Sequence, residues 1–159
     1  MTYSGRLLSF DIDGVVADSD SAMLGLLHRA HDQELLGARE HLLSYYARRP
    51  VMLDPRSFTL PGDVFILVSG RIPIAHELTR QWVAHRFPEC AGLFLVSDNS
   101  VEEVFRSGHY DEAFTMLAER KYKVLHEQLV DLHFDNSPRI VRYVREHGIL
   151  AVLVGGAII

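Results

Sequence analysis

Asp11 and Asp13 stand one residue apart, directly after the apolar run Leu7-Leu8-Ser9-Phe10 and directly before Gly14. Side chains alternate along a strand, so the two carboxylates would share a face if the strand simply continued. Gly14 argues instead for a sharp loop at the strand's C-terminal end, the edge where open α/β sheets place their chemistry. Carboxylates this close repel unless a cation or a proton lies between them. Oxygen ligands without thiols or imidazoles point to Mg²⁺. Taken alone, an Asp-x-Asp-Gly turn reads more simply as an acidic loop after an edge strand. Two further clusters shift that balance. The apolar stretch Asp63 to Val68 ends in Ser69-Gly70-Arg71, and Asp131 to Phe134 ends in Asp135-Asn136-Ser137-Pro138.

These clusters meet only if the strands that carry them are parallel. Between them the chain reads as alternating strands and helices. Helical spacing is expected over Ser19 to Arg29, with Asp18, Ser19 or Asp20 as its cap, and over Ala38 to Arg48, ended by Pro50. Val51 to Asp63, with Pro55, Pro61 and Gly62, reads as loop. Ala17 to Asp63 thus forms a small helical insertion after the first strand. A helix follows Pro73 to about Arg86, and Gly92 to Ser97 reads as a third strand. Asp98 to His109 reads as a loop carrying a short helix. Asp111 to Val130 reads as a helix with a break near Lys121. Pro138 to Glu146 is a last helix, and Ile149 to Val154 a last strand. The order implies a Rossmann-like α/β fold: a mostly parallel sheet flanked by helices, whose strand ends bring the three clusters to one edge.

The 159 residues suit one domain, 1–159, and 48% apolar content argues against disorder. Sixteen basic residues against 21 acidic give a net charge of −5, so no global attraction for nucleic acid is expected. The lone cysteine, Cys90, fits a reducing compartment and reads as a small buried hydrophobe. No stretch approaches the ~18 apolar residues of a membrane span, and the N-terminus lacks a signal-peptide pattern. A soluble, cytoplasmic protein without a membrane partner is the expectation. The nine histidines show no ligand spacing, which makes a zinc site improbable.

Phe10-Asp11-Ile12-Asp13-Gly14-Val15, Val68-Ser69-Gly70-Arg71, a lysine at 121 or 123, and His133-Phe134-Asp135-Asn136-Ser137 resemble, in order, the four motifs of the haloacid dehalogenase (HAD) superfamily of phosphohydrolases. The resemblance runs across essentially the whole chain. It implies Asp11 as the nucleophile forming an aspartyl-phosphate, and Asp13 as general acid and then base. Ser69 and the Gly70 amide would bind phosphoryl oxygens. Mg²⁺ would be held by Asp11, the Asp13 carbonyl and Asp135, with Asn136 reaching it through water. Lys121, four residues before Leu125, fits the motif lysine slightly better than Lys123, which stays open as an alternative phosphate-binding cation. Arg71 reads equally as a ligand for phosphate or a substrate carboxylate and as a surface arginine. Val15 departs from the pattern, since many members carry Thr there.

Leu67-Val68-Ser69-Gly70-Arg71 with Leu78-Thr79-Arg80-Gln81-Trp82-Val83 looks like the phosphatase domain of polynucleotide kinase. The insertion resembles that of deoxyribonucleotidases. Both likenesses imply a nucleotide or a nucleic-acid phosphate end as substrate, within the broader class of phosphorylated small molecules. Two other classes compete. A receiver-type signalling domain shares clustered aspartates and a lysine, but its phosphate-accepting Asp ends the third strand, here Ser97-Asp98. A catalytically silent binding module would keep the fold without turnover.

Overall fold

The computed structural model describes residues 5–18 and 38–155, so the helix expected over Ser19 to Arg29 lies outside the described residues. Five strands, β1 (Leu7–Phe10), β2 (Val64–Ser69), β3 (Leu93–Leu95), β4 (Leu132–Asp135) and β5 (Ala151–Leu153), form one sheet ordered β3-β2-β1-β4-β5. Every pairing is parallel. Helices α1 (Ala38–Ala47), α2 (His76–Arg86), α3 (Asn99–Arg106), α4 (Tyr110–Glu127) and α5 (Pro138–Glu146) complete the described elements. The chain is therefore an α/β, Rossmann-like fold.

The central strands are apolar on both sides because both sides are covered. Leu8, Phe10, Phe65, Leu67 and Phe134 pack with Trp82, Val83 and Phe87 at α2. Leu7, Ile66 and Val68 point the other way, onto Ala118 and Leu125 of α4 and Val141 and Val144 of α5. Phe10 and Phe134, paired across β1 and β4, stack with centroids 4.5 Å apart. Val15 is wholly buried in the first of these cores, which explains how an apolar residue suits that loop position.

Several boundaries differ from expectation. Asp98 to His109 is mostly helix: Asp98 caps α3 by accepting from the amides of Ser100 and Val101, and Val101 and Phe105 bury its apolar side. The break expected near Lys121 is absent, since α4 runs unbroken for 18 residues. Pro55–Phe58 forms a 3-10 turn inside the segment expected as loop, and β3 and β5 are shorter than their apolar runs. Among the described residues no helix is long and apolar enough to cross a membrane.

Arg6 and Asp63 lock the starts of β1 and β2 together. The Asp63 carboxylate accepts from the Arg6 amide (2.8 Å), the Leu60 amide (3.0 Å) and the Arg6 guanidinium (2.7 Å). The Arg6 side-chain bond, followed by the two amides, lowers the Asp63 pKa from 3.8 to about 2. A depressed carboxylate stabilises the fold above its unfolded pKa and loses that contribution as pH falls through the folded value. Asp63→Asn should therefore lose less stability than the wild type between about pH 5 and pH 2. Urea unfolding midpoints across that range check this; parallel losses in both proteins would contradict it.

Candidate active site

Strand order reverses direction at β1: the chain moves outward through β2 and β3, then returns to add β4 and β5 on the other side. The crevice at the C-terminal ends of β1 and β4 is such a switch point, where open α/β sheets bind ligands. Asp11 follows β1, and Asp135 ends β4. The Asp11 amide still donates to the Phe134 carbonyl (2.8 Å), which keeps the two carboxylates side by side. Beyond Asp11 the chain turns back on itself. Gly14 takes φ 80°, and the amides of Val15 and Ala17 both donate to the Ile12 carbonyl. Only a residue without Cβ adopts that φ freely.

Lys121, on α4, reaches between the two carboxylates. Its Nζ lies 2.9 Å from Asp11 Oδ1 and 2.7 Å from Asp135 Oδ2, with 3% of the side chain exposed. Burial alone would lower the lysine pKa; the two carboxylates more than reverse this and raise it. Burial raises the Asp11 pKa, partly countered by Lys121, and the Asp135 charge adds to the rise. For Asp135 the opposite balance holds: Lys121 and His133 outweigh burial and lower it. Lys123 is turned about 200° away around the same helix. It is a surface residue, 74% exposed and 3.9 Å from Glu127, so its expected part in substrate binding is not supported by its position.

Asp13 meets Arg71 in a bidentate pair, Nε to Oδ2 at 2.9 Å and Nη2 to Oδ1 at 2.7 Å. Of the two expectations for Arg71, the surface one fails: it is buried, lines the cavity over the carboxylates, donates also to Thr79 Oγ1 (3.2 Å) and stacks 4.0 Å from the Tyr46 ring of α1. Tyr46 of α1 thus packs against the guanidinium that holds Asp13. Ser69 is buried at the end of β2, and its hydroxyl accepts from the Arg71 amide (3.1 Å).

A second polar layer lies under the carboxylates. Ser9 and His133 are direct partners across β1 and β4, with Ser9 Oγ 2.7 Å from His133 Nδ1. His133 Nε2 lies 3.1 Å from Asp135 Oδ2. A carboxylate only accepts, so Nε2 carries the proton and neutral Nδ1 accepts from the Ser9 hydroxyl. Sequence reading had given neither residue a role. The available signal was their period: Ser9 lies two before Asp11, and His133 two before Asp135.

A cavity of about 150 Å³ opens over this group. Asp11, Asp13, Lys121, Asp135, Gly70 and Asn136 supply its polar part. Ile72, Phe105, Phe114, Leu117 and Ile140 form an apolar wall that sequence reading also missed. Among the described residues no three His, Cys, Asp or Glu side chains form a metal-holding group. Asp98, the receiver-type candidate, follows edge strand β3 and is occupied as the α3 cap and by Arg120 (2.8 Å). Receiver-type sheets are ordered 2-1-3-4-5, unlike this one.

No family model matches the chain, and no curated protein matches it significantly in sequence. Solved structures do match. A HAD family enzyme of Bacteroides thetaiotaomicron, in its magnesium complex, aligns with a TM-score of 0.52 at 13% identity, over 96% of this chain and 96% of that one. The wild-type enzyme in complex with magnesium and inorganic phosphate aligns with the same TM-score and identity, over 96% and 95%. The chain has the fold of HAD family enzymes.

Proposed function

We propose that the chain is a HAD-superfamily phosphohydrolase: a Mg²⁺-dependent phosphomonoesterase working through an aspartyl-phosphate on Asp11. One observation carries this reading. A buried lysine bridges Asp11 and Asp135 at the switch point, beside a third carboxylate, Asp13, oriented by Arg71. Asp11 and Asp135 share the single ammonium of Lys121, which leaves one negative charge for a further cation to offset. The oxygen-only donor set of Asp11 and Asp135 suits Mg²⁺. The magnesium and phosphate complexes of the Bacteroides enzyme support the same assignment.

When bound, Mg²⁺ would offset repulsion between the carboxylate nucleophile and the phosphate. The chain's own residues do the rest. Asp11 Oδ2, which has no hydrogen-bond partner among the described residues, attacks phosphorus, and the bond to the leaving oxygen breaks. Asp13 gives that oxygen its proton. Asp13 then takes a proton from water, which attacks phosphorus and releases inorganic phosphate and free Asp11. Such proton transfers contribute about 10² to 10⁴ in rate. Lys121 fixes Asp11 Oδ1 and faces the incoming phosphoryl charge. Arg71 acts on substrate through Asp13, while the Ser69 hydroxyl and Gly70 amide remain the phosphoryl donors of the reading, and Asn136 the water-bridged metal residue.

The narrower substrate reading is a nucleotide or a nucleic-acid 3′- or 5′-phosphate end. It rests on the likeness of Leu67 to Arg71 and Leu78 to Val83 to polynucleotide kinase phosphatase. The apolar wall accords with a leaving group that presents a base or another flat apolar face. A cytoplasmic setting accords with the single free cysteine, Cys90. A phosphatase screen over nucleotides, sugar phosphates and phosphorylated oligonucleotides tests the class; no turnover of any of them would contradict it. Activity should require Mg²⁺ and fall at least about tenfold with Ca²⁺, whose longer bonds and higher coordination displace the nucleophile. Full activity after exhaustive EDTA treatment would contradict the metal.

A further inference from the structure

Along β1 the residues Leu7, Ser9 and Asp11 alternate onto one face, and along β4 His133 and Asp135 do the same. Ser9 and His133 therefore sit one step beneath Asp11 and Asp135, on the face covered by α4 and α5. Their surroundings are apolar: Leu7, Ile66, Val68, Leu125 and Ala151 fill the same layer. A serine and a histidine, both wholly buried in such a layer, cost free energy unless satisfied. An apolar pair of similar volume would fill the space without that cost. The polar pair calls for a reason beyond packing.

The reason lies in the hydrogen bonds of Asp135. Its Oδ2 accepts from Lys121 Nζ (2.7 Å) and His133 Nε2 (3.1 Å), while Oδ1 accepts from the Ser137 amide alone (2.9 Å). Oδ1 is thus the oxygen with remaining capacity. Without His133, Lys121 would be the only donor on Oδ2, and Lys121 is shared with Asp11. The carboxylate could then rotate, exchanging its oxygens or turning toward the lysine. The Ser9 hydroxyl extends this control by fixing the histidine's tautomer and ring plane. A ring with Nδ1 protonated would face Asp135 with a bare nitrogen and repel it.

We propose that Ser9 and His133 are positioning residues for the metal carboxylate: a cross-strand relay, Ser9 to His133 to Asp135, that aims Oδ1 of Asp135 into the cavity. The inference rests on the Mg²⁺-dependent reading above and deepens it. Neither residue touches substrate, and neither moves a proton during turnover. Partners outside the ligand sphere commonly contribute about 10- to 100-fold to metal affinity.

The test measures Mg²⁺ affinity by isothermal titration calorimetry on the metal-free full chain, alongside unfolding midpoint and kinetics at saturating Mg²⁺. His133→Leu should weaken Mg²⁺ binding about tenfold or more. His133→Gln, whose side-chain amide donates near the Nε2 position, should recover most of the loss. Ser9→Ala, which keeps the ring and removes its anchor, should weaken binding about two- to fivefold with little change in unfolding midpoint. For all three the loss should appear in the Mg²⁺ dependence, with KM for the phosphoester within about twofold at saturating metal. Unchanged Mg²⁺ affinity in both Ser9→Ala and folded His133→Leu would overturn the relay and leave the pair as a satisfied core contact. Should His133→Leu fail to fold, Ser9→Ala decides: wild-type affinity in that variant overturns the relay as well. A wild-type chain that binds no Mg²⁺ fails differently, because it removes the metal-dependent reading itself and the inference with it.

Discussion

Asp11→Asn abolishes turnover, by on the order of 10⁴-fold or more, and leaves the chain folded. The amide keeps an oxygen where Lys121 Nζ now meets Asp11 Oδ1 at 2.9 Å, so the bridge to Asp135 survives in part. What it loses is the anionic oxygen that bonds to phosphorus. Burial disfavours the Asp11 charge and raises its pKa, so a neutral replacement removes a destabilised ion. The unfolding midpoint should therefore equal or exceed that of the wild type. Activity sites commonly carry such a cost in stability. Retained turnover of any substrate the parent accepts would contradict the role of Asp11.

The second large effect belongs to Lys121. Lys121→Met removes the one ammonium between two buried carboxylates. Removing one partner of a buried ion pair destabilises by about 3–5 kcal/mol, because the remaining charge stays without compensation. Loss of a preorganised charge beside the reacting group costs about 10²- to 10³-fold in kcat. Both effects should appear together, with kcat normalised to the folded fraction by circular dichroism. Lys123→Met is the control. Its ammonium is solvated and pairs loosely with Glu127, so kcat should stay within a few-fold and stability within about 0.5 kcal/mol. A normal Lys121→Met kcat, or the reverse order of the two variants, would contradict the assignment.

What the sequence made legible was everything carried by strand ends. Asp11, Asp13, Ser69-Gly70-Arg71 and Asp135-Asn136 each follow an apolar run, and parallel strands must gather them. The lysine was only half legible. A break near Lys121 was expected, whereas α4 runs unbroken from Tyr110 to Glu127; the 200° between positions 121 and 123 distinguishes them either way, but which one faces inward depends on packing. Arg71 was ambiguous because its partner is 58 residues away and its stacking ring, Tyr46, lies in the insertion. Helix α3 was legible only as a short helix within a loop, because its surface is polar, although Asp98 as a cap and Val101 with Phe105 at helical spacing marked its extent. Ser9 and His133 are 124 residues apart, and only the register of β1 against β4 joins them.

A covalent bond between Asp11 and phosphorus can be caught by chemical trapping. Borohydride reduces an acyl phosphate to the alcohol, which turns a phosphorylated aspartate into homoserine. The chain is incubated with Mg²⁺ and a phosphomonoester it hydrolyses, quenched, reduced, and mapped by peptide mass spectrometry. Homoserine is expected at position 11, dependent on substrate and absent in Asp11→Asn. Homoserine at Asp13 or Asp135, or none anywhere during steady turnover, would contradict the bond to Asp11.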